Sequence, residues 1–141
     1  MKCFVEAAGV VAPGLAGWKK SRAILAGEVA YRFEEFAAPK LDVLPPVERR
    51  RTGLPAKLAI RAGQDALLQS GRTVASLATV FASSDSDGEL INEICKTLAG
   101  AERRISPTRF HNSVHNAAAG YWSIATGSHA PSTSLCALDW S

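Results

Sequence analysis

The chain has 141 residues, of which 47% are hydrophobic, 21% charged and 7% aromatic. This composition is typical of a globular protein, and the length predicts a single domain over residues 1–141. The net charge of +3 is too small to indicate a nucleic-acid partner. No apolar run approaches the roughly 20 residues of a membrane span. The charged start at Lys2 and Glu6 is unlike a signal peptide, so a cytoplasmic location is expected.

The first half of the chain predicts one strand, two helices and a surface connection. Residues 3–11 are β-branched and small apolar residues, which favour a buried strand. Residues 18–25 predict a short helix, and the proline-punctuated residues 28–46 predict a connection over the surface. The clearest helix covers residues 54–69, where Leu54, Leu58, Ala62 and Ala66 recur every four residues. A proline in its first turn and Gly71 after its end suit its two termini.

The second half predicts a strand, two further helices and a last strand. Residues 76–82 are almost entirely apolar, which is typical of a strand covered on both faces. Ser86 and Glu89 have the spacing of a capping box at the start of a helix that reaches residue 98. A third helix fits residues 114–125, and residues 133–137 fit a short strand. This alternation predicts an α/β layered fold with mainly parallel pairing.

Two groups of side chains suggest a metal site, and neither has a complete ligand set. An acidic loop around Asp85 and Asp87 resembles a calcium loop, but its twelfth position is Ile94, where a bidentate glutamate is required. Helix capping explains this loop better. His111 and His115 have the spacing of two zinc ligands on one helix face, but no third ligand follows at a recognisable spacing. Hydrogen bonding at a helix start or a subunit contact is the favoured role, and no metal is expected.

Three widely spaced cysteines, Cys3, Cys95 and Cys136, include no C-x-x-C pair. Neither a zinc site nor a redox motif is therefore indicated. In a protein without an export signal, reduced thiols are expected. Cys95 falls on a helical pattern, where a buried apolar role is the expectation.

The densest basic stretch covers residues 49–51, with Lys57 and Arg61 following on the next helix. Two interpretations remain open for it. The stretch is either a solvated helix entrance, or a surface that receives phosphate or an acidic carrier protein. It contains no interleaved aromatic residues, which argues against single-stranded nucleic acid.

Several segments together resemble the N-terminal half of a β-ketoacyl synthase of the thiolase fold. Residues 9–14 (GVVAPG) are similar to the family's first strand and turn, and residues 49–67 to its alanine- and leucine-rich helix. The most specific segments are residues 116–120 (NAAAG) and 127–132 (GSHAPS). Residues 110–122 (FHNSVHNAAAGYW) are most similar to the chain-length-factor-like ketosynthase homologues of aryl-polyene and related polyketide clusters.

The resemblance implies a nucleophilic cysteine eight residues after the proline of the final strand entrance. Counting eight residues from Pro131 gives Asp139, and a carboxylate is a poor acceptor of an acyl group from a thioester. Cys136 lies three residues earlier, and on a strand this shift turns the side chain to the opposite face. Cys136 remains the alternative nucleophile if the register is shifted.

The resemblance implies a thiolase-like α/β fold, with helices layered around a mixed, mainly parallel sheet, of which this chain forms the incomplete N-terminal half. In that family the catalytic histidines lie in the C-terminal half, so no catalytic role passes to His111, His115 or His129. The implied function is that of a non-catalytic chain-length-factor-type subunit without a cofactor. It would pair with an active ketosynthase, or with itself, and meet acyl carrier protein in polyketide, aryl-polyene or fatty-acid-like biosynthesis.

Two other functions remain open: an active acyltransferase that uses Cys136, and a degenerate chain without activity of its own. For the chain-length-factor-type subunit, the family's subunit contact predicts an interface over residues 111–122 and the final strand. The residues expected at that interface are His111, Asn112, His115, Asn116, Tyr121 and Trp122.

Overall fold

The computed structural model of this protein describes residues 2–138, in which short strands alternate with longer helices. The predicted helix at residues 18–25 is confirmed, and that at residues 54–69 is confirmed to within one residue. The elements in chain order are β1 (Val11–Ala12), β2 (Leu15–Ala16), α1 (Trp18–Leu25), α2 (Pro46–Arg51), α3 (Leu54–Ser70), β3 (Thr79–Ala82), α4 (Gly88–Ala99), α5 (Pro107–Asn112), α6 (Ala117–Thr126) and β4 (Ser132–Leu135).

The strands form two small sheets of opposite kind. β1 and β2 make an antiparallel hairpin, whereas β3 and β4 pair in parallel, with Thr79 opposite Ser132 and Ala82 opposite Leu135. The connection between the two parallel strands passes through α4, α5 and α6. A long helical crossover of this kind is what parallel pairing requires, because a tight turn cannot join two parallel strands. The predicted α/β alternation with parallel pairing is therefore confirmed.

Helix α3 lies at the centre of the core. Its Pro55 occupies the first turn, and Gly71 ends the helix in a left-handed conformation with φ of 66°. The buried face presents Ala56 and Ile60, whereas Leu54, which the periodicity placed on the apolar stripe, is 46% exposed. The buried hydrophobic core of the described residues consists of Leu41, Leu44, Ala56, Ile60, Tyr121 and Trp122.

Helices α3 and α6 approach closely at a glycine. A methyl group on Gly63 would begin only 2.7 Å from Cζ3 of Trp122, so no larger residue fits there without displacement. On its other side, the Trp122 ring meets Phe81 of β3 edge to face, with ring centroids 6.2 Å apart. Trp122 therefore joins α3, α6 and the parallel strands in one packed layer.

Residues 28–46 run without helix or strand as far as Pro45, as predicted, but they do not lie wholly on the surface. Leu41 and Leu44 are each only 1% exposed and belong to the core. A turn between them is closed by the Leu44 N–H, which donates to the Leu41 carbonyl at 3.1 Å. The sequence also did not predict α2, which begins at Pro46.

The predicted strand at residues 3–11 is wrong for all but its last residue. Residues 2–10 are coil, and Phe4 and Val5 are about nine-tenths exposed. No strand within residues 2–138 pairs with residues 2–10, so Val5 and Val10 have no ladder to join. Instead the side chain of Gln69 anchors the segment to α3, since its Nε2 donates to the Ala8 carbonyl at 2.8 Å.

The later elements also differ from their predicted bounds. β3 begins at Thr79, because residues 74–76 form a 3₁₀ turn. The strand alternates half-buried and exposed residues, and Val80 is 68% exposed, so the cover predicted on both faces is not supplied by the described residues. Residues 107–112 form α5, which was not predicted, and α6 begins at Ala117 rather than at residue 114.

The predicted capping box at α4 is wrong by one residue. The N-cap is Asp87, whose Oδ1 accepts the Leu90 N–H at 3.1 Å. Ser86 has φ of 60°, which lies outside the extended region that an N-cap residue adopts, and its own N–H donates to Ser83 Oγ at 2.9 Å. Capping remains the explanation of the acidic loop, with Asp87 in the role assigned to Ser86.

We expect Asp87→Ala to lower the free energy of unfolding by about 1 kcal/mol, the usual effect of losing an N-cap side chain. Ser86→Ala is the matched control and should change stability by less than about 0.5 kcal/mol, since its hydroxyl caps nothing. Urea unfolding followed by circular dichroism measures both. A larger loss for Ser86→Ala than for Asp87→Ala would restore the capping box.

Candidate functional site

The carboxyl ends of the two parallel strands bring two loops together. Beyond the ladder, the Ser83 N–H donates to the Leu135 carbonyl at 3.1 Å, and Cys136 Sγ donates to the Ser84 carbonyl at 3.5 Å. In open α/β sheets, ligands bind outside this edge of the strands. The fold thus places Cys136 beside the loop that precedes α4.

A cleft of about 110 Å³ opens next to that loop, between α3, the end of β3 and the connection from α5 to α6. Small residues on α3 and α6 leave the space, because alanine side chains cannot fill the gap between the helices. The apolar walls include Ala56, Ala59, Phe81 and Ala118. The polar residues that line the cleft are Ser83, Ser86, Asp87, Asn112 and His115.

Two polar residues at the cleft differ in character: Asn112 is buried, and Asp87 carries a charge. Asn112 is 9% exposed, and its Nδ2 donates to the Arg51 carbonyl at 2.7 Å and to the Thr108 carbonyl at 3.0 Å. Its Oδ1 is buried and has no hydrogen-bond partner among the described residues. Asp87 uses Oδ1 for the cap of α4, and its Oδ2 lies 3.1 Å from the point where a side chain on Gly53 would begin.

The structure divides the six residues predicted at a subunit interface into two groups. Three of them are buried inside this chain: Asn112, Tyr121 and Trp122 are 9%, 1% and 7% exposed. Their side chains therefore pack within the chain rather than on its surface. The other three, His111, His115 and Asn116, are exposed. His111 packs edge to face on Tyr121, with ring centroids 5.5 Å apart. A contact through the exposed three stays a prediction.

Burial of the Tyr121 side chain raises the pKa of its phenol, because the phenolate would lose its hydration, and the nearby Glu48 carboxylate raises it further. The Thr52 and Asn112 side chains and the Arg51 charge oppose this rise. Thr52 and Asn112 lie close to the hydroxyl, but neither meets it in hydrogen-bond geometry among the described residues. The folded chain therefore favours the neutral phenol.

This shift predicts a loss of stability in alkali. As pH rises past 10, the ordinary pKa of tyrosine, the unfolded chain releases the Tyr121 proton while the folded chain retains it. The tyrosine's contribution is complete below pH 10 and is lost as pH climbs toward the raised folded pKa. Urea unfolding at pH 8 to 11 should show a steeper decline for the wild type than for Tyr121→Phe. Equal slopes would contradict the assignment.

All three cysteines are exposed, so the expected burial of Cys95 is wrong. Cys95 lies on the outer side of α4, where among residues 2–138 nothing covers it. Cys136 is the first residue after β4, consistent with a strand that ends earlier than predicted. Asp139, predicted at the nucleophile position, lies outside the described residues. No cluster of three metal-ligating side chains is present within residues 2–138.

The basic stretch is partly paired. Arg49 donates to Asp42 Oδ1 at 2.7 Å and to the Leu44 carbonyl at 3.2 Å, so it fixes the turn before α2. Arg51 lies 4.0 Å from Glu48. Among the ion pairs of the described part of the chain, none includes Arg50 or Arg61, which are both exposed. No helix in the described range is long and apolar enough to cross a membrane.

Residues 21–140 match the family model of the β-ketoacyl synthase N-terminal domain. The chain belongs to the β-ketoacyl synthase family, which confirms the resemblance. Among the 27 chains of solved structures that match, one comes from the complex of the ketosynthase ApeO with its chain length factor ApeC from Xenorhabdus doucetiae. That match has a TM-score of 0.71 and 29% sequence identity, covering 93% of this chain and 53% of the other.

The structural match confirms the predicted thiolase-like fold class. The chain spans about half the length of the matched ketosynthase-complex chain. No curated protein matches it.

Proposed function

We propose that residues 1–141 act as a ketosynthase-like N-terminal domain in a non-catalytic subunit of the chain-length-factor type. The subunit works in the cytoplasm beside an active β-ketoacyl-ACP synthase, in polyketide, aryl-polyene or fatty-acid-like biosynthesis. The observation that carries the proposal is the residue type at the implied nucleophile position in the sequence. Where the family resemblance implies a nucleophilic cysteine, the sequence has Asp139, and a carboxylate does not replace a thiolate in thioester exchange.

The surroundings of Cys136 support the same conclusion. Its Sγ lies 3.5 Å from the Ser84 carbonyl oxygen, an acceptor that supplies no base to form a thiolate. Acyl transfer needs the thiolate together with a neighbouring base and oxyanion donors. His111 instead packs on Tyr121, and His115 lines the cleft. The active cysteine and histidines would then belong to the partner.

Two surfaces fit the proposed partners. His111, His115 and Asn116 are exposed beside the cleft and fit a contact with an active ketosynthase or, as the alternative, with a second copy of this chain. Arg50 and Arg61 are exposed cations that fit an acidic acyl carrier protein, because opposite charges speed and orient such encounters.

Co-purification tests the subunit role. The tagged chain, co-expressed with a ketosynthase of an aryl-polyene cluster, should elute with it from a sizing column. His115→Glu should weaken the association at least about tenfold, whereas Lys19→Glu, a charge change at an exposed position of α1, should not. Tyr121 and Trp122 are unsuitable for this test because both are buried. A stable subunit that binds no ketosynthase contradicts the proposal.

The second candidate function is acyl transfer through Cys136, favoured by the exposure of this thiol beside the cleft loop. Incubation with an acyl thioester or a cerulenin-type electrophile, followed by intact mass and peptide mapping, separates the two functions. An adduct on Cys136 that is absent from Cys136→Ser would establish the acyltransferase. Equal labelling of Cys95 and Cys136 would reflect exposure alone and leave the subunit proposal standing.

A further inference from the structure

We propose that residues 29–37 pair with the same residues of a second copy of this chain, as two antiparallel strands related by a two-fold axis at Phe33. The inference goes beyond the proposed function, because no ketosynthase takes part in it. Among the described residues, no backbone N–H or carbonyl of residues 30–40 takes part in a backbone–backbone hydrogen bond. A row of unpaired backbone groups is a template for a strand from another chain.

This segment is straight, exposed and held at both ends. Residues 30–40 contain no helix, turn or bend, so the chain there is extended. At its start the Val29 N–H donates to the Ala23 carbonyl at 3.2 Å, and after its end Leu41 is buried in the core. Between these anchors Phe33 is 73% exposed. A segment that is already ordered loses less conformational entropy when it pairs.

The contact of the segment with the hairpin of β1 and β2 shows which of its edges is free. The Arg32 carbonyl points at Gly14, since its oxygen lies closer than its carbon to the place where a Gly14 side chain would begin. The Tyr31 hydroxyl donates to the Pro13 carbonyl at 3.0 Å. Successive carbonyls of an extended chain point to opposite edges. The backbone N–H and carbonyl groups of Tyr31 and Phe33 therefore point away from the hairpin and are available to another strand.

Symmetry and charge limit the registers in which the segment can pair with its own copy. Opposite residues of an antiparallel pair project from the same face, so a two-fold axis must pass through a residue that lies opposite its own copy. An axis at Arg32, Glu34 or Glu35 would place that charge opposite an identical charge. An axis at Tyr31 would place Glu28 opposite Glu34. Like charges directly opposite each other destabilise a strand pair, which disfavours all four registers.

An axis at Phe33 places no like charges opposite each other. Arg32 of each copy then lies opposite Glu34 of the other, which forms two ion pairs, and the two Phe33 rings are neighbours. Opposite-charge and aromatic pairs across two strands are stabilising. The segment is therefore complementary to itself, which identifies the occupant as a second copy of the chain. One pair of strands buries little surface, so the association is expected to be weak and concentration-dependent.

Sedimentation equilibrium of the full chain tests the contact by exchanging the charges. The wild type should dimerise reversibly with a Kd of about 1 μM to 1 mM. Arg32→Glu should weaken the dimer at least about tenfold, because a symmetric contact repeats the new like-charge pair with Glu34 twice. The double variant Arg32→Glu/Glu34→Arg recreates both ion pairs in reverse and should recover the wild-type Kd. Lys40→Glu, the same charge change at an exposed residue outside the pairing, is the matched control and should leave the Kd unchanged.

Disulfide cross-linking tests the register independently of charge. In a variant whose three cysteines are replaced by serine, Phe33→Cys places two thiols on the axis. Opposite residues of a hydrogen-bonded pair have Cα atoms about 5.5 Å apart, a distance that a disulfide spans. Mild oxidation should therefore join the two copies, as seen on a non-reducing gel. Glu35→Cys in the same background is the control, because its two copies lie four residues apart along the strands, more than about 13 Å, and should not cross-link.

A folded chain that stays monomeric up to about 1 mM overturns the proposal. So does a dimer that Arg32→Glu leaves unchanged, or one that the double charge exchange does not restore. Cross-linking of Glu35→Cys as readily as Phe33→Cys overturns the register. A dimer that His115→Glu abolishes and Arg32→Glu does not would use the other proposed surface, and this too overturns the proposal. None of these experiments includes a ketosynthase, so their failure does not affect the proposed subunit role.

Discussion

Replacing Trp122 with alanine is expected to lower the free energy of unfolding by about 3–5 kcal/mol. Trp122 is 7% exposed and fills the space beside Gly63. Its ring also packs edge to face against Phe81. Its removal leaves a cavity that α3 and β3 cannot close, since both are held by other contacts. The loss is comparable to the whole stability of many domains. Circular dichroism during urea unfolding measures it.

A second variant keeps this prediction testable if the alanine variant does not fold. Trp122→Phe retains an aromatic ring and removes the indole N–H, which is buried without a partner within residues 2–138. Its loss should be less than half that of the alanine variant. Ile124→Ala, on the same helix but 47% exposed, should cost much less than Trp122→Ala. Equal losses at positions 122 and 124 would show that the core is not centred on Trp122.

Ile60→Ala should destabilise the chain by about 2–5 kcal/mol, the range for truncating a fully buried aliphatic side chain. Ile60 is 0% exposed and lies on the core face of α3. The matched control is Leu68→Ala on the same helix, where the leucine is 85% exposed and the substitution should change stability by less than about 0.5 kcal/mol. Chemical unfolding curves compare the two.

If Leu68→Ala proved as costly as Ile60→Ala, the burial pattern of α3 would be wrong. A related result concerns the complex. Leu68 is exposed in the described chain, so any loss of ketosynthase binding in Leu68→Ala with stability retained would mark α3 as a further contact surface. Ile60→Ala cannot be used in this way, because a change in the core affects every surface at once.

The sequence was sufficient to predict those elements whose start, periodicity and end depend only on nearby residues. α3 was predicted to within one residue at its C-terminus, because its proline, its periodicity and Gly71 all act within a few turns. Parallel pairing was also predicted from the alternation of strands and helices, although which strands pair, β3 with β4, came from the structure. The family was recognisable from residues 110–132, a short and specific stretch of sequence.

The missed elements depend on distant residues. The apolar run at residues 3–11 has the composition of a strand, but among the described residues only Val11 pairs with another strand, and residues 3–10 are coil. Leu41 and Leu44 lie in a proline-rich connection, and only its fold against the core makes them buried. Cys95 shows the reverse, an apolar position that no other described element covers. Burial is decided by contacts between elements, which composition alone does not specify.

The candidate site shows the same division. The sequence by itself determined the family, the parallel α/β alternation and the absence of a cysteine at position 139. Only the tertiary structure brought Gly53, Asp87 and Asn112 around one cleft. It also turned Asn112, Tyr121 and Trp122 inward, although the sequence predicted them at an interface. The physical reason is that helical periodicity and capping depend on residues a few positions apart, whereas a cleft exists only after distant segments have packed together.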